Sequence, residues 1–234
     1  MCYSTTLDRD IREMERMYNK RMLEDSRRSY MHPEELENLP DFDAPWASKR
    51  TSAFARPFWP VMTKDKPDAL ELHRWGFLPK QVTDEVYAKE WLKEWATFNA
   101  VSEDIEKKKT YAEAWAKGQR CLIPVTSFTE WQHVPVEGRK TPNKIAHDIR
   151  TKEEVFTLGG IWEESAMGYR TFSVLTTKAN PLMEVIHNTK KRMPVIIPPD
   201  MHQFWLSTSL DLDHVKLMCD PYPQEAMEAE HAAA

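Results

Sequence analysis

The chain lacks the makings of a disulfide framework or a zinc site. Its three cysteines, Cys2, Cys121 and Cys219, are odd in number and show no CxxC spacing. No apolar run approaches the ~20 residues that span a bilayer, and no basic-then-apolar leader precedes Cys2. Together these absences point to a cytoplasmic protein in a reducing compartment, with no membrane partner. Positive charge is also in deficit: 37 acidic residues against 32 basic ones give a net charge of −5. Nothing therefore attracts a polyanion globally, and any nucleic-acid contact must come from a local basic patch. The eight histidines show no metal-ligand spacing, so neither a metal nor a cofactor is expected.

What is present is core-forming material. Hydrophobic residues make up 41%, with 9 Trp, 9 Phe and 7 Tyr, enough for one substantial packed domain. There is no repeat and no second core. The domain is read as 1–208, with a helical and Pro-rich insertion at about 7–47 and a tail over 209–234. Within the insertion, Ile11, Met14, Tyr18 and Met22 form a stripe at three-to-four spacing that predicts a charged amphipathic helix over 7–29. Residues 31–47 read as loop.

Farther along, Phe58 to Thr63 and Ala69 to Trp75 read as strands joined by a Lys66-Pro67-Asp68 turn. Helices are expected over 83–97, 110–117, 180–187 and 200–207. Apolar or alternating runs at Arg120–Val125, Lys144–Ile149, Val155–Ile161, Thr171–Thr176 and Pro194–Ile197 lie too close together for βαβ units. They predict a mostly antiparallel sheet and an α+β fold.

Polar residues inside apolar stretches are the candidates for chemistry. Cys2 follows Met1 directly; once the methionine is trimmed, the chain starts with an amine and a thiol on adjacent carbons. That aminothiol can condense with an aldehyde and close to a thiazolidine, or attack an acyl carbon with the amine as base. Equally, position 2 reads as an arbitrary cysteine. Glu130, between Phe128 and Trp131, has a desolvation route to a raised pKa that would suit a proton donor; read alone, it is a strand-end surface carboxylate. His187 reads alone as a helix cap, and Asn99 as a turn or cap residue. Cys121 reads as core.

Taken in order, the motifs carry more. They run Met1-Cys2, Arg74-Trp75-Gly76-Phe77-Leu78-Pro79, Phe98-Asn99-Ala100, then Arg120-Cys121-Leu122-Ile123-Pro124 with Phe128-Thr129-Glu130-Trp131. Gly160-Ile161-Trp162-Glu163, Thr176-Thr177-Lys178-Ala179-Asn180 and His187 through Arg192-Met193-Pro194-Val195-Ile196 follow. This series resembles that of the SOS-response-associated peptidase (SRAP) family over roughly residues 1–207.

The resemblance implies an α+β fold in which a curved, mostly antiparallel sheet forms a pseudo-barrel with peripheral helices. It implies a monomer that binds single-stranded DNA at abasic sites and traps the sugar aldehyde covalently as a thiazolidine, cytoplasmic and nucleoid-associated when bound to damaged DNA. By analogy Cys2 is the nucleophile through amine and sulfur, and Asn99 holds the terminus. Glu130 shuttles protons and His187 assists opening of the sugar ring. Trp75 and Pro57 would stack or wedge against bases, with Arg74, Arg192 and Lys191 as phosphate contacts. Many members continue from the cysteine with Gly-Arg and carry an arginine after Asn-Ala; this chain has Tyr3-Ser4 and Val101. Two rival readings use the same residues: a cysteine peptidase or amidohydrolase built on Cys2, Glu130 and His187, and a non-catalytic DNA-binding module.

Overall fold

Strands whose residues are buried on both faces must be enclosed by the rest of the molecule, and any polar residue on them must find its partners there. Such strands lie at the centre of this protein. Its structure is a computed structural model describing residues 2–23 and 33–232. The first half contains β1 (Ser4–Asp10), α1 (Ile11–Tyr18), β2 (Arg21–Met22), α2 (Pro33–Glu37), β3 (Pro45–Ser52), β4 (Phe58–Thr63) and β5 (Ala69–Trp75). Next come α3 (Glu85–Trp95), β6 (Asn99–Val101), α4 (Ala112–Ala116), β7 (Arg120–Val125) and β8 (Ser127–Val134). The remainder is β9 (Asn143–Thr151), β10 (Phe156–Glu164), β11 (Arg170–Lys178), α5 (Pro181–Ile186), β12 (Arg192–Pro194), β13 (Ile196–Ile197), α6 (His202–Leu206), α7 (Leu212–Leu217) and β14 (Met227–His231).

Every residue of β4 and β5 is buried. These two strands pair with each other, β4 pairs with β7, β7 with β10 and β10 with β11, all antiparallel. A parallel pairing of β11 with β5 closes the ring into a five-stranded barrel. Strands β2, β6, β12 and β13 lie outside it. The expected α+β pseudo-barrel with peripheral helices is therefore the architecture observed.

Close approach across this barrel explains the Gly160 of the sequence motif. A Cβ there would sit 2.7 Å from Ile123 Cδ1, 2.8 Å from Cys121 Sγ and 3.0 Å from the Ser173 carbonyl oxygen. Gly160→Ala is therefore an overpacking substitution, expected to cost about 1–3 kcal/mol and to lower the thermal midpoint in a melting experiment.

The second sheet has the order β14-β9-β8-β1-β3 and is antiparallel at every described pairing. It grows directly from the barrel, because only Thr126 separates β7 from β8. Thr126 also anchors β1: its N–H donates to Thr6 O at 2.8 Å and its Oγ1 accepts from Asp8 N at 3.1 Å.

Three expectations need correcting. The stretch 31–47, read as loop, contains α2 and the start of β3. The helix predicted over 7–29 is only Ile11–Tyr18. Asp10 and Glu13 form a capping box at its start, and Asn19 in the left-handed region (φ 50°) ends it. Met22 is buried, but from β2, while 24–29 lie outside the described residues. The segment 209–232, expected as part of a tail, packs onto the domain. Val215 and Cys219 are buried, Asn180 Nδ2 donates to Tyr222 O at 2.7 Å, and β14 extends the second sheet.

Candidate active site

Strand register brings the start of the chain to Glu130. In the β1–β8 ladder Thr5 lies opposite Phe128 and Thr6 opposite Ser127, so continuing the register sets Tyr3 level with Glu130. Cys2 is completely buried, with Sγ 3.7 Å from the Ser4 carbonyl oxygen. Burial, and then the neighbouring Glu130 carboxylate, push the thiol pKa well above its ordinary value. Glu130 itself is 3% exposed. Desolvation raises its pKa from 4.5 to about 7, as its flanking Phe128 and Trp131 suggested.

His187 reaches the same place from the opposite side of the chain. Asn180 caps α5 through Met183 N (2.9 Å), Pro181 occupies the first turn, and the helix ends at His187 itself. The following loop is strapped to β8 by a reciprocal pair: His133 N donates to Asn188 Oδ1 (3.1 Å) and Asn188 Nδ2 donates to His133 O (2.9 Å). The result is a His187 Nε2 to Glu130 Oε2 separation of 4.0 Å. His187 Nδ1 lies 2.8 Å from Arg192 O and 3.2 Å from Arg192 N. One nitrogen cannot serve both; the shorter contact puts the proton on Nδ1 and turns the Nε2 lone pair toward Glu130. Burial lowers the His187 pKa to about 4, so the ring is neutral at pH 7.

Asn99 opens β6, beside Val174 of β11. Its side-chain oxygen and nitrogen are both buried without a hydrogen-bond partner among the described residues. An unsatisfied buried amide costs about 1–3 kcal/mol, a cost that a bound polar group would remove. The adjacent Phe98 ring packs edge-on against Tyr3 (6.3 Å) and Phe54 (5.1 Å), which ties this amide to the neighbourhood of the chain start.

Glu130 and His187 open onto a cleft of about 570 Å³ that also includes Tyr3, Phe54 and Trp131, while Cys2 and Asn99 do not line it. One wall is aromatic: Tyr3 and Phe54 stack at 5.1 Å and 27°, with Phe54 64% exposed. Arg50 lies over the Trp131 ring at 5.8 Å, and exposed Lys144 and Lys190 add cations at the rim. A somewhat larger cavity of about 630 Å³, lined by Met201, Phe204, Leu217 and Tyr222 among others, contains none of the candidate residues. Chemistry rather than volume selects the cleft.

The expected DNA-contact set needs revision. Trp75 cannot stack on a base: it is 1% exposed, stacked on Phe172, and its Nε1 donates to Phe98 O. Arg74 is buried between Glu35 and Glu85 and over the Phe58 ring, so its charge is already met. Arg192 is paired with Glu103 and donates to Thr176 O. Pro57 is half-buried ahead of β4, its carbonyl accepting from Trp75 N. Lys191 is exposed, 3.5 Å from Glu184. The sequence reading missed Phe54 and Lys144. Phe54 sits in a short turn where no periodicity marks it; Lys144 is one lysine among many, distinguished only by the β8–β9 register. Among the described residues no three of His, Cys, Asp and Glu converge as a metal site.

Comparison with known proteins gives the family and the fold. The family model described as SOS response associated peptidase (SRAP) matches residues 1–233. The abasic site processing protein YoqW of Bacillus subtilis is 30% identical over 162 residues, 67% of this chain and 66% of the relative. The alignment thus spans about two thirds of that relative's length. The abasic site processing protein HMCES of Xenopus tropicalis is 26% identical over 144 residues, 54% of this chain and 41% of its own. A crystal structure from Bacteroides thetaiotaomicron has the same fold, with a TM-score of 0.80, 28% identity, and coverage of 99% of this chain and 92% of that one.

Proposed function

The chain belongs to the SOS response associated peptidase (SRAP) family, and from that premise we propose that it captures abasic sites in single-stranded DNA as a covalent thiazolidine at Cys2, shielding the lesion. The observation that carries the reading is the convergence of a buried terminal-proximal thiol, a carboxyl titrating near neutrality and a neutral imidazole. The curated relatives' names supply the substrate class.

The chemistry follows from the groups present. Removal of Met1 frees the α-amine of Cys2, whose reference pKa of ~7.7–8.0 leaves an appreciable neutral fraction at pH 7. His187 Nε2 takes the proton from the C1′ hydroxyl of the closed sugar and passes it to the ring oxygen O4′ as the C1′–O4′ bond breaks and the aldehyde forms. The amine adds to that carbonyl to give a carbinolamine. Glu130, protonated, donates to the departing hydroxyl, water leaves, and the carboxylate takes the nitrogen proton back as the imine forms. The Cys2 sulfur then adds to the imine carbon while its proton passes, through Glu130, to the nitrogen. Aldehyde and aminothiol give thiazolidine and one water. The raised thiol pKa fits this order, because the proton stays on sulfur until the ring closes. Tethering thiol to imine contributes on the order of 7–11 kcal/mol through effective molarity.

An abasic nucleotide is already unstacked, so reaching it costs little. Phe54 and Trp131 offer faces for neighbouring bases, at ~1–3 kcal/mol per stacked base, and Arg50, Lys144 and Lys190 offer phosphate contacts. A thiolate-based peptidase is the weaker reading, because burial beside a carboxylate disfavours the thiolate that such a nucleophile needs.

Incubation with an abasic single strand, followed by a denaturing gel, tests the proposal. The expected product is a heat-stable one-to-one adduct whose mass is protein plus strand less one water, and none with the undamaged strand. Repeated peptide turnover without adduct would replace it with the hydrolase.

A further inference from the structure

At the opposite end of β7 from the cleft, Arg120 presents an electrostatic imbalance. About 20 Å of extended strand, at ~3.3 Å per residue, separates it from the start of β8. It is 1% exposed. The other arginines withdrawn from solvent have carboxylate partners: Arg56 with Glu85, Arg74 with Glu35, Arg170 with Glu71 and Arg192 with Glu103. Arg120 has none among the described residues. Its Nε donates to Trp205 O at 2.7 Å and its Nη2 to Ser207 O. The Trp115 and Trp205 rings lie near the guanidinium at 5.7 and 5.8 Å. Nη1 is buried with no hydrogen-bond partner among the described residues.

Carbonyl dipoles and ring faces soften a buried charge without neutralising it, and an unpaired donor remains expensive. The neighbouring acids are committed elsewhere. Asp65 is held by Arg170 at 2.6 Å, and Glu163 accepts from Gln119 at 3.2 Å. Burial keeps the nearby Cys219 thiol protonated, its pKa pushed up to about 12. Desolvation lowers the pKa of Arg120 itself to about 10.

A pocket of about 340 Å³ lies against this guanidinium, lined by Lys64, Asp65, Lys117, Gly118, Trp162 and Thr208 among others as well as Arg120. Gly118 leaves room beside the orphan nitrogen. A Cβ there would sit 3.6 Å from Arg120 Nη1 and collide with Thr208 Cγ2 at 2.9 Å, and its φ of +68° favours glycine. Lys64 Nζ contacts Thr208 Oγ1, and Lys117 is exposed and paired with Glu113. The pocket thus offers the one uncommitted guanidinium nitrogen, Nη1, the Lys64 ammonium and a second ammonium, Lys117, shared with Glu113, while its lining carboxylate, Asp65, is held by Arg170. That combination suits a tetrahedral oxyanion rather than a carbonyl or a cation.

We propose that this pocket binds phosphate, as the free ion or as a phosphodiester of a nucleic-acid strand, with Arg120 Nη1 as the fixed donor and Lys64 and Lys117 closing from the rim. The site is independent of the Cys2 chemistry and does not rest on the abasic-site reading.

Inorganic phosphate titrated into the intact protein, with chloride holding ionic strength constant, is the direct probe, read by calorimetry and by the thermal midpoint. Saturable binding of one phosphate per chain is expected. The exposed-rim double variant Lys64→Glu/Lys117→Glu should weaken it at least about tenfold, as should Arg120→Lys, while Cys2→Ala should not change it. Should Arg120→Lys fail to fold, the rim variant carries the test. A second arm adds an undamaged oligonucleotide: competition with phosphate identifies a backbone phosphodiester as the ligand, and its absence identifies the free ion. The proposal is overturned if no saturable binding exceeds the chloride control, or if the rim variant binds like the original. Arg120 would then be only a tie between β7 and α6.

Discussion

A Cys2→Ala protein is expected to give no heat-stable adduct with an abasic strand, yet to give one when borohydride is present. Alanine at position 2 still permits removal of Met1 and leaves an α-amine beside Glu130 and His187. Carbinolamine and imine therefore still form, and hydride reduces the imine to a permanent amine. What is lost is ring closure: without the neighbouring sulfur the imine stays open to water, and the lifetime of the linkage falls by at least about a hundredfold. A second product should accompany this. An open iminium makes the C2′ proton acidic; its loss breaks the C3′–O bond and releases the downstream strand, which carries that phosphate at its 5′ end. The Cys2→Ala reaction should accordingly accumulate a shortened DNA product that the original protein suppresses. The fold should survive, since the side chain removed is small and its burial is worth about 1 kcal/mol. A heat-stable adduct from Cys2→Ala without reductant would show that the sulfur does not form the link.

How far this could be read from the sequence depends on what each residue's role requires. Strands β4 and β7 have the limits that their apolar runs suggest, and β5 has its expected limits too, although composition does not reveal that its Glu71, His73 and Arg74 are buried. Ring closure by the parallel β5–β11 pairing leaves no local mark, since register is a property of two distant segments. Strand β1 was hidden inside a helical pattern: Leu7, Ile11 and Met14 are all buried, but Leu7 belongs to a strand and the other two to a helix. Strand β14 escaped because it pairs with β9 alone and buries only Met227. At the site, Cys2, Glu130 and His187 were legible through their order along the chain, and the structure brings them together. Trp75 was misjudged for a physical reason. Residue type says that an indole can stack on a base, but it does not say that Phe172 and the Phe98 carbonyl already occupy it.

Replacing Glu130 with glutamine should move rate and stability in opposite directions, which separates a functional role from a structural one. Loss of a positioned proton donor and acceptor should slow adduct formation by about 10²–10⁴-fold. The pH profile should change shape as well. Productive imine formation needs Glu130 protonated, below its pKa of about 7, and the amine neutral, above ~7.7–8.0. The original protein should therefore show a bell with its maximum between those values. The Glu130→Gln protein should keep the fall toward acid and lose the fall toward alkali. For stability, the folded-state pKa is raised from 4.5 to about 7, so the folded chain holds this proton more tightly than the unfolded one. The contribution is complete below about pH 4.5, disappears as pH rises through about 7, and amounts to about 3 kcal/mol. Glutamine does not ionise, so at pH 8 the variant should melt higher than the original by up to roughly 10 °C, with the gap closing at pH 4. Slow chemistry in a more stable protein cannot be explained by damage to the fold. A variant that melts lower at pH 8 and reacts at the original rate would remove Glu130 from the reaction.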